Sequence, residues 1–470
     1  MHAGDEWRVR MEIIYDKVNM PVPHGNYLPV DITAGTMEEH RQKVLHKMRE
    51  FGLDVLVIYA DREHGANYAY LTGFEPRFEE SVLVLHKDGT CWMMLGNENL
   101  KMGRYSFIQG KVIHVPHFSL PYQPMEPLKD MTGLVEEAGI QDGMTIGCAG
   151  WKHFTSKCKG EENLLDIPAF IADALRKGNP NGILLSASGI FLDSQQGLRT
   201  RVNANEIAHY EFGAGMASVK VLEAMNEIRP GKSEMEIAGH LSAYGQPATV
   251  TTICAAGERF TDAVVFPRNK PIQRGDRISI TFGLRGGLTS RAAYVGEDRI
   301  DLPKGEQDYI EKVAIPYYKA AVTWYEMIGI GVSCSKIYET IEEVLPKERF
   351  HWSLNPGHYT GADEWTASPI YPGSEVKLES GMMLQMDIIP SVPGYGGTGA
   401  EDGIAIADQD LRNQIQERYP AVWERIKARR EYMKNSLGIV LREEILPMSD
   451  LCGYLRPLIL NHGYALRKKQ

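Results

Sequence analysis

The stretch covering residues 352–406 constrains this chain most, because it carries three acid/base or ligand side chains in quick succession. His358 lies in a Gly-flanked turn, Asp387 lies in an apolar run, and Glu401 comes just before a second apolar run. Short apolar runs bounded by Gly and Pro predict buried strands. A carboxylate on a buried strand is costly unless it is paired, hydrogen bonded or bound to a metal. We therefore expect the three side chains to converge on one pocket, although any one of them alone could be bonded separately in an ordinary core.

Length and composition indicate a globular protein with more than one domain. The chain has 470 residues, of which 24% are charged and 43% hydrophobic, and its net charge is −10. This length predicts two domains or more, and the negative charge argues against nucleic-acid binding, which requires a basic face. No signal-peptide run begins the chain, no stretch is long enough to cross a membrane, and the cysteines form no CxxC pair. We therefore expect a cytoplasmic protein without nucleic-acid or membrane partners.

The pattern of predicted elements changes near residue 198. Before it, strands and helices alternate, beginning with a helix over 36–51 that Thr36 would cap, and they predict an α/β domain over 1–198. After it, apolar residues spaced by three and four predict a long helix over 204–228. Mixed helices and strands then predict an α+β domain over 199–410.

The end of the chain has a character of its own. A charged helix from about residue 412 is followed by the apolar segment LCGYLRPLIL, residues 451–460. Such a segment must be buried, either at a dimer interface or against the catalytic domain. We describe residues 411–470 as a C-terminal helical extension.

Several motifs occur in an order that resembles the creatinase/prolidase/aminopeptidase P family, the M24-like hydrolases with a pita-bread fold. The motifs are YLTGF (70–74), a helix pair broken by Arg-Pro-Gly (229–231), PIQRGDRISITFG (271–283), NPGHYTG (355–361), LESGMMLQMDIIP (378–390) and GAEDGIAI (399–406). The resemblance covers nearly the whole chain. It implies an α/β N-terminal domain followed by an α+β pita-bread domain, and hydrolase chemistry in the latter.

The metal ligands of that family are only partly matched. Its metal-dependent members hold two divalent ions with two Asp, one His and two Glu. The matching positions are occupied in order by Thr281, by Ser290 or Arg291, by His358, by Asp387 and by Glu401. The resemblance therefore implies that both Asp ligands are missing and that one Glu is replaced by the shorter Asp.

Two further positions differ from the family. A second family His, seven residues after the ligand, is replaced by Trp365. The loop before the motif at 271–283, where peptidases and creatinase each place a functional His, has Asp262, Val264 and Phe266 instead. Neither position can supply the imidazole that the resemblance would otherwise imply.

The remaining ligands carry too little charge for two ions. Two hard cations need several anionic ligands, and Arg291 adds a positive charge beside the degenerate metal site. One ion held by His358, Asp387 and Glu401 stays open as an alternative, because one His with two carboxylates is an accepted Zn set. Creatinase has this fold without the metal set and cleaves a C–N bond of a small guanidino acid, so the resemblance also allows metal-free hydrolysis.

The resemblance and the chemistry of the side chains suggest roles within such a site. His358 would act as general acid or base, oriented by Asp387 and Glu401, because a His pKa of roughly 6.5 suits proton transfer near neutrality. Arg291 or Arg285 would clamp a substrate carboxylate. The other expected substrate-binding residues are Thr281, Tyr359, Trp365 and Asp262.

Our main hypothesis from the sequence is a creatinase-like homodimeric hydrolase. It would cleave a C–N bond in a small charged nitrogen compound without a cofactor, and the sequence does not identify that compound. One alternative is an Xaa-Pro aminopeptidase or dipeptidase with at most one Zn, Mn or Co ion, held by His358, Asp387 and Glu401. Another alternative is a non-catalytic binding protein on the same scaffold.

Overall fold

A computed structural model describes residues 11–123, 129–155, 163–262 and 264–470. These residues form two compact units. The first unit runs from Ile32 to Thr200, and the second combines the residues up to Asp31 with Arg201–Gln470. The predicted boundary near 198 lies close to the junction of the units, whereas the N-terminal arm packs with the second unit and not with the predicted 1–198 domain.

The elements of the described chain are numbered in chain order. The strands are β1 (Ile13–Lys17), β2 (Val55–Ala60), β3 (Ser81–His86), β4 (Cys91–Leu95), β5 (Lys111–His114), β6 (Thr145–Ala149), β7 (Ile183–Ser186), β8 (Ile253–Ala256), β9 (Arg277–Leu284), β10 (Gly287–Tyr294), β11 (His358–Tyr359), β12 (Met383–Met386), β13 (Gly399–Ile406), β14 (Ile445–Pro447) and β15 (Tyr464–Lys468). The α-helices are α1 (Ala34–Glu50), α2 (Ala66–Thr72), α3 (Met131–Glu137), α4 (Ala169–Gly178), α5 (Gly189–Leu192), α6 (Ala204–Glu227), α7 (Glu234–Ala238), α8 (Glu258–Thr261), α9 (Ile315–Met327), α10 (Cys334–Val344), α11 (Lys347–Phe350), α12 (Gln409–Arg418) and α13 (Pro420–Asn435). Short 3₁₀ helices cover Leu100–Tyr105, Pro116–Phe118, Leu198–Thr200 and Arg299–Asp301, and a π-helical turn covers Ile310–Ala314.

The first unit is an α/β sandwich around a mixed sheet with strand order β5-β4-β3-β2-β6-β7. Every residue of β2 is buried, because helices cover both faces of the sheet. Val44 and Met48 of α1 pack on one face, and Val135 of α3 and Ile171 of α4 pack on the other. The predicted α/β class of this domain is therefore confirmed.

The start of α1 differs from the prediction. The helix begins at Ala34, and Thr33 is its cap, since the Thr33 side chain accepts a hydrogen bond from the Thr36 backbone N–H. Thr36 itself is buried within the first turn. Thr33 and Thr36 are equally good caps by residue type, so local sequence could not decide between them.

The second unit has a seven-stranded sheet with the order β11-β12-β13-β10-β9-β8, in which β14 also pairs with β13. The long helix α6 packs against β9 and β10. Its start follows from a capping box, in which Asn203 accepts from the Glu206 N–H and the Glu206 carboxylate accepts from the Asn203 N–H. The predicted capping box of Ser233 and Glu236 at α7 is present as well.

The arm and the tail are tied into the second unit by buried charges. Arg425 donates to the Glu211 carboxylate on α6, with 2.8 Å between Nε and Oε1. Arg429 donates to Asp450 at 2.7 Å, and Tyr27 of the arm hydrogen bonds to the same Asp450 carboxylate. At the very ends, β1 pairs with β15 in antiparallel register. The residues predicted as a C-terminal extension are therefore integrated into this unit.

The apolar segment 451–460 is buried in the core of the second unit. Leu451, Tyr454 and Leu458 are at most 2% exposed and pack in the same cluster as Trp324 of α9. The segment is therefore buried within its own unit, which is one of the two predicted alternatives. A dimer interface is not needed to cover it.

The cysteines and the helix lengths of the described chain can be stated briefly. Five cysteines are buried free thiols, and Cys158 lies outside the described residues. Among the described helices, none combines the length and apolar character needed to span a bilayer.

Candidate functional site

The strand register brings the predicted acids to one face of the second sheet. Ser290 on β10 lies opposite Glu401 on β13 and opposite Thr281 on β9. The β12–β13 ladder ends one residue before Asp387, so Asp387 continues alongside Glu401. Directly opposed residues share a face of the sheet. Glu401 thus lies inside β13, although the sequence predicted it ahead of the strand.

His358 joins this face from the edge strand β11. It lies opposite Gln385, two residues before Asp387, and residues two apart on a strand point the same way. The glycine before it is required by space and conformation. Gly357 has φ +125°, and a Cβ there would lie 2.8 Å from the Gln385 carbonyl oxygen. Gly357 therefore allows β11 to approach β12 closely enough for His358 to reach the acids.

The three predicted side chains converge in a buried group. The His358 Nε2 atom lies 3.9 Å from Asp387 Oδ2 and 3.8 Å from Glu401 Oε1. Candidate ligand atoms of the three residues all lie within 4.8 Å of one another. Ligand atoms bound to one divalent ion lie roughly 3–3.5 Å apart. A movement of under about 1 Å would thus bring all three to bonding distance.

The tautomer of His358 follows from its backbone contact. Its Nδ1 lies 3.0 Å from the Tyr359 carbonyl oxygen, which can only accept a hydrogen bond. Nδ1 therefore carries the proton, and the lone pair of Nε2 faces the carboxylates. An imidazole whose second nitrogen donates to a carbonyl is the usual arrangement of a metal-binding His.

Burial perturbs all three groups in the direction of their neutral forms. Burial, together with the charge of Glu401, raises the pKa of Asp387 to about 8. Burial and then the neighbouring Asp402 raise the pKa of Glu401 to about 8. Burial lowers the pKa of His358. Because Asp387 Oδ1 also has no hydrogen-bond partner among the described residues, the donor set fits a divalent cation that would offset the clustered negative charge.

Sequence reasoning missed a fourth member of the group, Glu364. It is only 7% exposed, and its Oε1 lies 4.0 Å from His358 Nε2. Burial, followed by the charges of Glu401 and Asp387, raises its pKa well above the usual value. An acid in a polar turn is ordinarily solvated, so residue type alone does not predict its burial. The one signal in the sequence is its position six residues after His358.

Arg291 points away from the site, contrary to the prediction that it clamps substrate. It alternates with Ser290 along β10 and therefore lies on the opposite face, where its side chain is 1% exposed. Its guanidinium donates to Asp402 Oδ2 at 2.6 Å and to backbone carbonyl groups, including those of Tyr454 and Leu451. All its donors are engaged within the protein, so a substrate carboxylate cannot reach them.

Replacing Arg291 should destabilise the protein severely. The Arg291→Met variant would leave the Asp402 carboxylate buried and without its cation, at a cost on the order of 3 kcal/mol of unfolding free energy. The double variant Arg291→Met, Asp402→Asn should recover part of that loss. Urea denaturation measures both variants. A near-wild-type midpoint for Arg291→Met alone would contradict the structural role.

The other predicted substrate-binding residues are scattered. Tyr359 is 1% exposed and packs in the core, with its hydroxyl 3.8 Å from Met382 Sδ, since it alternates with His358 on β11. Trp365 is 57% exposed, and Asp262 is exposed just after α8. Tyr359 is thus a core residue and the other two are surface residues, and their roles in substrate binding stay predictions.

Two predicted positions lie on β9 or directly after it. Thr281 is buried beside Ser290, with 2.6 Å between their hydroxyl oxygens. Arg285 is half-buried in the turn after β9. It lies four residues beyond Thr281, which is about 13 Å along a strand. Thr281 therefore belongs to the site, whereas Arg285 lies at its distant margin.

Comparisons with known proteins show what the segment carrying this site is similar to. Residues 213–408 match the model of metallopeptidase family M24. A search of curated protein sequences gave no significant match. The matched segment contains all four residues of the candidate site, His358, Asp387, Glu401 and Glu364.

Similar solved structures extend the likeness to the whole fold. An Xaa-Pro dipeptidase from Bacillus anthracis is 17% identical with a TM-score of 0.60, and the match covers 80% of this chain and 96% of that one. A prolidase from Thermococcus sibiricus is 18% identical with a TM-score of 0.63, covering 80% and 95%. An X-Pro aminopeptidase from Thermotoga maritima is 16% identical with a TM-score of 0.60, covering 78% and 95%. Identities this low establish the fold alone.

The predicted fold class is confirmed by these matches and by the two units described above. Family M24 is generally metal-dependent, and the buried His358, Asp387 and Glu401 offer this chain one candidate cluster for an ion. Residues 213–408 therefore match metallopeptidase family M24, and the solved structures of similar fold support a pita-bread domain with hydrolase-type architecture.

Proposed function

We propose that the protein is a metal-dependent hydrolase of the Xaa-Pro dipeptidase or aminopeptidase type, with a single divalent ion held by His358, Asp387 and Glu401. The observation that carries the proposal is the orientation of His358, whose Nε2 lone pair faces both carboxylates because Nδ1 donates to a carbonyl. The similar structures are those of an Xaa-Pro dipeptidase, an X-Pro aminopeptidase and a prolidase, and this likeness favours a small peptide-like substrate containing proline. This replaces our creatinase-like main hypothesis with its peptidase alternative.

A second ion is disfavoured by the opposite wall of the site. The positions that the family resemblance assigns to two Asp ligands hold Thr281 and Ser290, whose hydroxyl groups hydrogen bond to each other. Neutral hydroxyls neither offset cationic charge nor replace the carboxylates that two hard ions require. The charge count that the sequence predicted therefore supports one ion and not two.

The chain's own residues divide the chemical work as follows. A divalent ion would supply Lewis-acid polarisation of the scissile carbonyl group. His358 holds its neutral Nε2 towards that position, and the Tyr359 carbonyl fixes the ring. With an ion bound, Asp387 and Glu401 would be ionised ligands, whereas in the metal-free protein their pKa values of about 8 let each hold or release a proton near neutral pH. Burial of the group excludes water that would weaken these interactions.

We expect the protein to bind one equivalent of Zn²⁺ or Mn²⁺ per chain. Because the ion binds the folded state, saturation at about 100 times the dissociation constant should add about 2.7 kcal/mol of unfolding free energy and raise the melting temperature. Titration of chelator-treated protein by calorimetry, with elemental analysis, measures the stoichiometry. Two equivalents, or none, would contradict the single-ion proposal.

Metal-free hydrolysis is the second candidate, and one observation favours it. With a pKa of about 8, Asp387 keeps its proton at neutral pH, while His358 stays neutral, so the pair offers an acid and a base without an ion. A creatinase-like C–N hydrolase could use this arrangement. Turnover that persists after chelation would select this candidate. A specific ligand without any turnover would select the non-catalytic binding protein.

We also propose that the protein acts as a homodimer in the cytoplasm. The resemblance to two-domain hydrolases and the free thiols Cys91, Cys148, Cys254, Cys334 and Cys452 support this proposal. Sedimentation analysis of the purified protein tests the oligomeric state. A monomer at micromolar concentration would count against it.

A further inference from the structure

The site has hydroxyl groups on β9 and β10, where the family resemblance implies acidic ligands, and it has an additional acid in the turn after β11. Thr281 and Ser290 lie on β9 and β10 and bring only hydroxyl groups, which satisfy each other. Glu364 comes from the turn that follows β11 and brings a carboxylate instead. Family resemblance assigns no ligand to that position, so Glu364 is a property of this chain.

The turn that carries Glu364 folds back over the site. Its two ends are joined by a hydrogen bond from the Tyr359 N–H to the Ala367 carbonyl oxygen at 2.8 Å. The Gly286 N–H donates to the Gly361 carbonyl oxygen at 2.7 Å and anchors the turn to the end of β9. The side chain of Glu364 is thereby directed inwards, to 4.0 Å from His358 Nε2, and not into solvent.

The Glu364 carboxylate has no hydrogen-bond partner for either oxygen among the described residues. Its side chain is 7% exposed, so water does not solvate it freely. Burying a polar group without a partner costs roughly 1–3 kcal/mol, and a charged carboxylate costs more. Such an acid persists in a fold when a ligand that is absent from the free protein completes it.

A divalent cation is the partner that suits the charge around Glu364. The carboxylates of Asp387 and Glu401 act on it, and the Nε2 lone pair of His358 lies 4.0 Å from its Oε1. The neighbouring Thr360 hydroxyl can donate a hydrogen bond but is neutral, so it does not offset the charge of three clustered acids. A divalent ion would offset that charge, and an oxygen-rich set with one imidazole suits Mn²⁺ or Zn²⁺.

We propose that Glu364 is a fourth protein ligand of the divalent ion and supplies part of the negative charge that Thr281 and Ser290 cannot. This inference rests on the proposed function, because it requires an ion at His358, Asp387 and Glu401. It adds a site residue that the family pattern does not contain. It also explains how a site that has lost two acidic ligands keeps enough charge to hold one ion.

The test compares metal affinity between the wild-type protein and the isosteric variant Glu364→Gln. We expect the variant to fold, since Gln has nearly the size and shape of Glu, and to bind Zn²⁺ and Mn²⁺ at least about tenfold more weakly. The visible spectrum of Co²⁺-loaded protein should also change, because it reports the ligands around the ion. Glu364→Asp, which keeps the charge on a shorter side chain, should recover part of the affinity.

A matched control separates the inference from the proposed function. Glu375→Gln removes an exposed charge from the same unit and should leave the metal affinity unchanged. If the wild-type protein binds metal and Glu364→Gln binds it equally tightly with an unaltered Co²⁺ spectrum, the fourth ligand is ruled out and the single-ion proposal stands. If the wild-type protein binds no metal, both fail together. Weakened binding in Glu375→Gln of the same size would also overturn the inference, because it would indicate a general charge effect.

Discussion

The His358→Ala variant should fold like the wild-type protein and lose both metal binding and turnover. Removing the imidazole takes away the one nitrogen ligand, whose Nε2 faces the carboxylates at 3.8–4.0 Å. We expect a loss of turnover of at least about 10²–10⁴-fold, the range supplied by a positioned acid/base group. The measurements are isothermal titration with Zn²⁺ or Mn²⁺ and hydrolysis of dipeptides and small guanidino or amino acids. A thermal-shift screen of the same compounds identifies the ligand to assay.

The control for this variant is His46→Ala, which removes an exposed imidazole from the surface of α1. It should leave metal affinity and turnover unchanged, since Ala is favourable in a helix. Unfolding curves of both variants show whether the fold is intact. Full turnover in His358→Ala would remove His358 from the chemistry, whatever the metal content of the protein.

The metal-free protein should become less stable as the pH rises from about 4 towards 8. In the folded state Asp387 and Glu401 have pKa values of about 8, whereas in the unfolded chain they titrate near 4. Between these values the folded state binds more protons than the unfolded state, so the unfolding free energy falls with rising pH. The stabilising contribution of the two protonated carboxyl groups is complete below about pH 4 and is lost as the pH rises through about 8.

Between pH 5.5 and pH 8 the loss is on the order of 3 kcal/mol for each group, since each pKa unit corresponds to about 1.4 kcal/mol. Urea denaturation of chelator-treated protein at pH 5.5 and pH 8 measures it. Other groups also titrate in this range, so the decisive comparison is with Asp387→Asn, which cannot ionise. That variant should be more stable than the wild-type protein at pH 8 and lose less stability between the two pH values.

Adding Zn²⁺ at pH 8 should restore the unfolding free energy of the wild-type protein. The unfolding free energy of Asp387→Asn should stay almost unchanged. A cation favours the ionised carboxylates and so lowers their pKa values. Metal affinity should therefore rise with pH, because binding releases protons. If the unfolding free energies of the two proteins depended equally on pH, Asp387 would not be the group with the raised pKa.

Much of the fold was determined by local patterns that the sequence shows openly. The spacing of apolar residues located α6 to within a residue at its C-terminal end, and the Ser233 capping box began α7 as predicted. Strand positions near the site were less accurate, because Glu401 lies within β13. A polar residue inside a buried strand weakens the apolar signal by which strand ends are recognised.

The predicted convergence of three side chains is present in the structure, whereas their functional role stays a prediction. His358, Asp387 and Glu401 do converge. Arg291 was wrongly assigned to the pocket, because its orientation depends on strand register, and a one-residue shift reverses the face of every side chain. Before the ladders of β10 were known, Ser290 and Arg291 were equivalent candidates.

The amino-acid sequence by itself determined which chemical groups this protein has available: one His, a shortened acid and a Glu at the matching positions, and hydroxyl groups where two acids would be expected. The tertiary structure alone decided which groups share the cavity. Pairing of β9, β10 and β13 put Arg291 and Asp402 behind the sheet, and the turn after β11 carried Glu364 in front of it. The physical reason is that residue type follows from the sequence locally, whereas the burial and pairing of a charge depend on segments far apart in the chain.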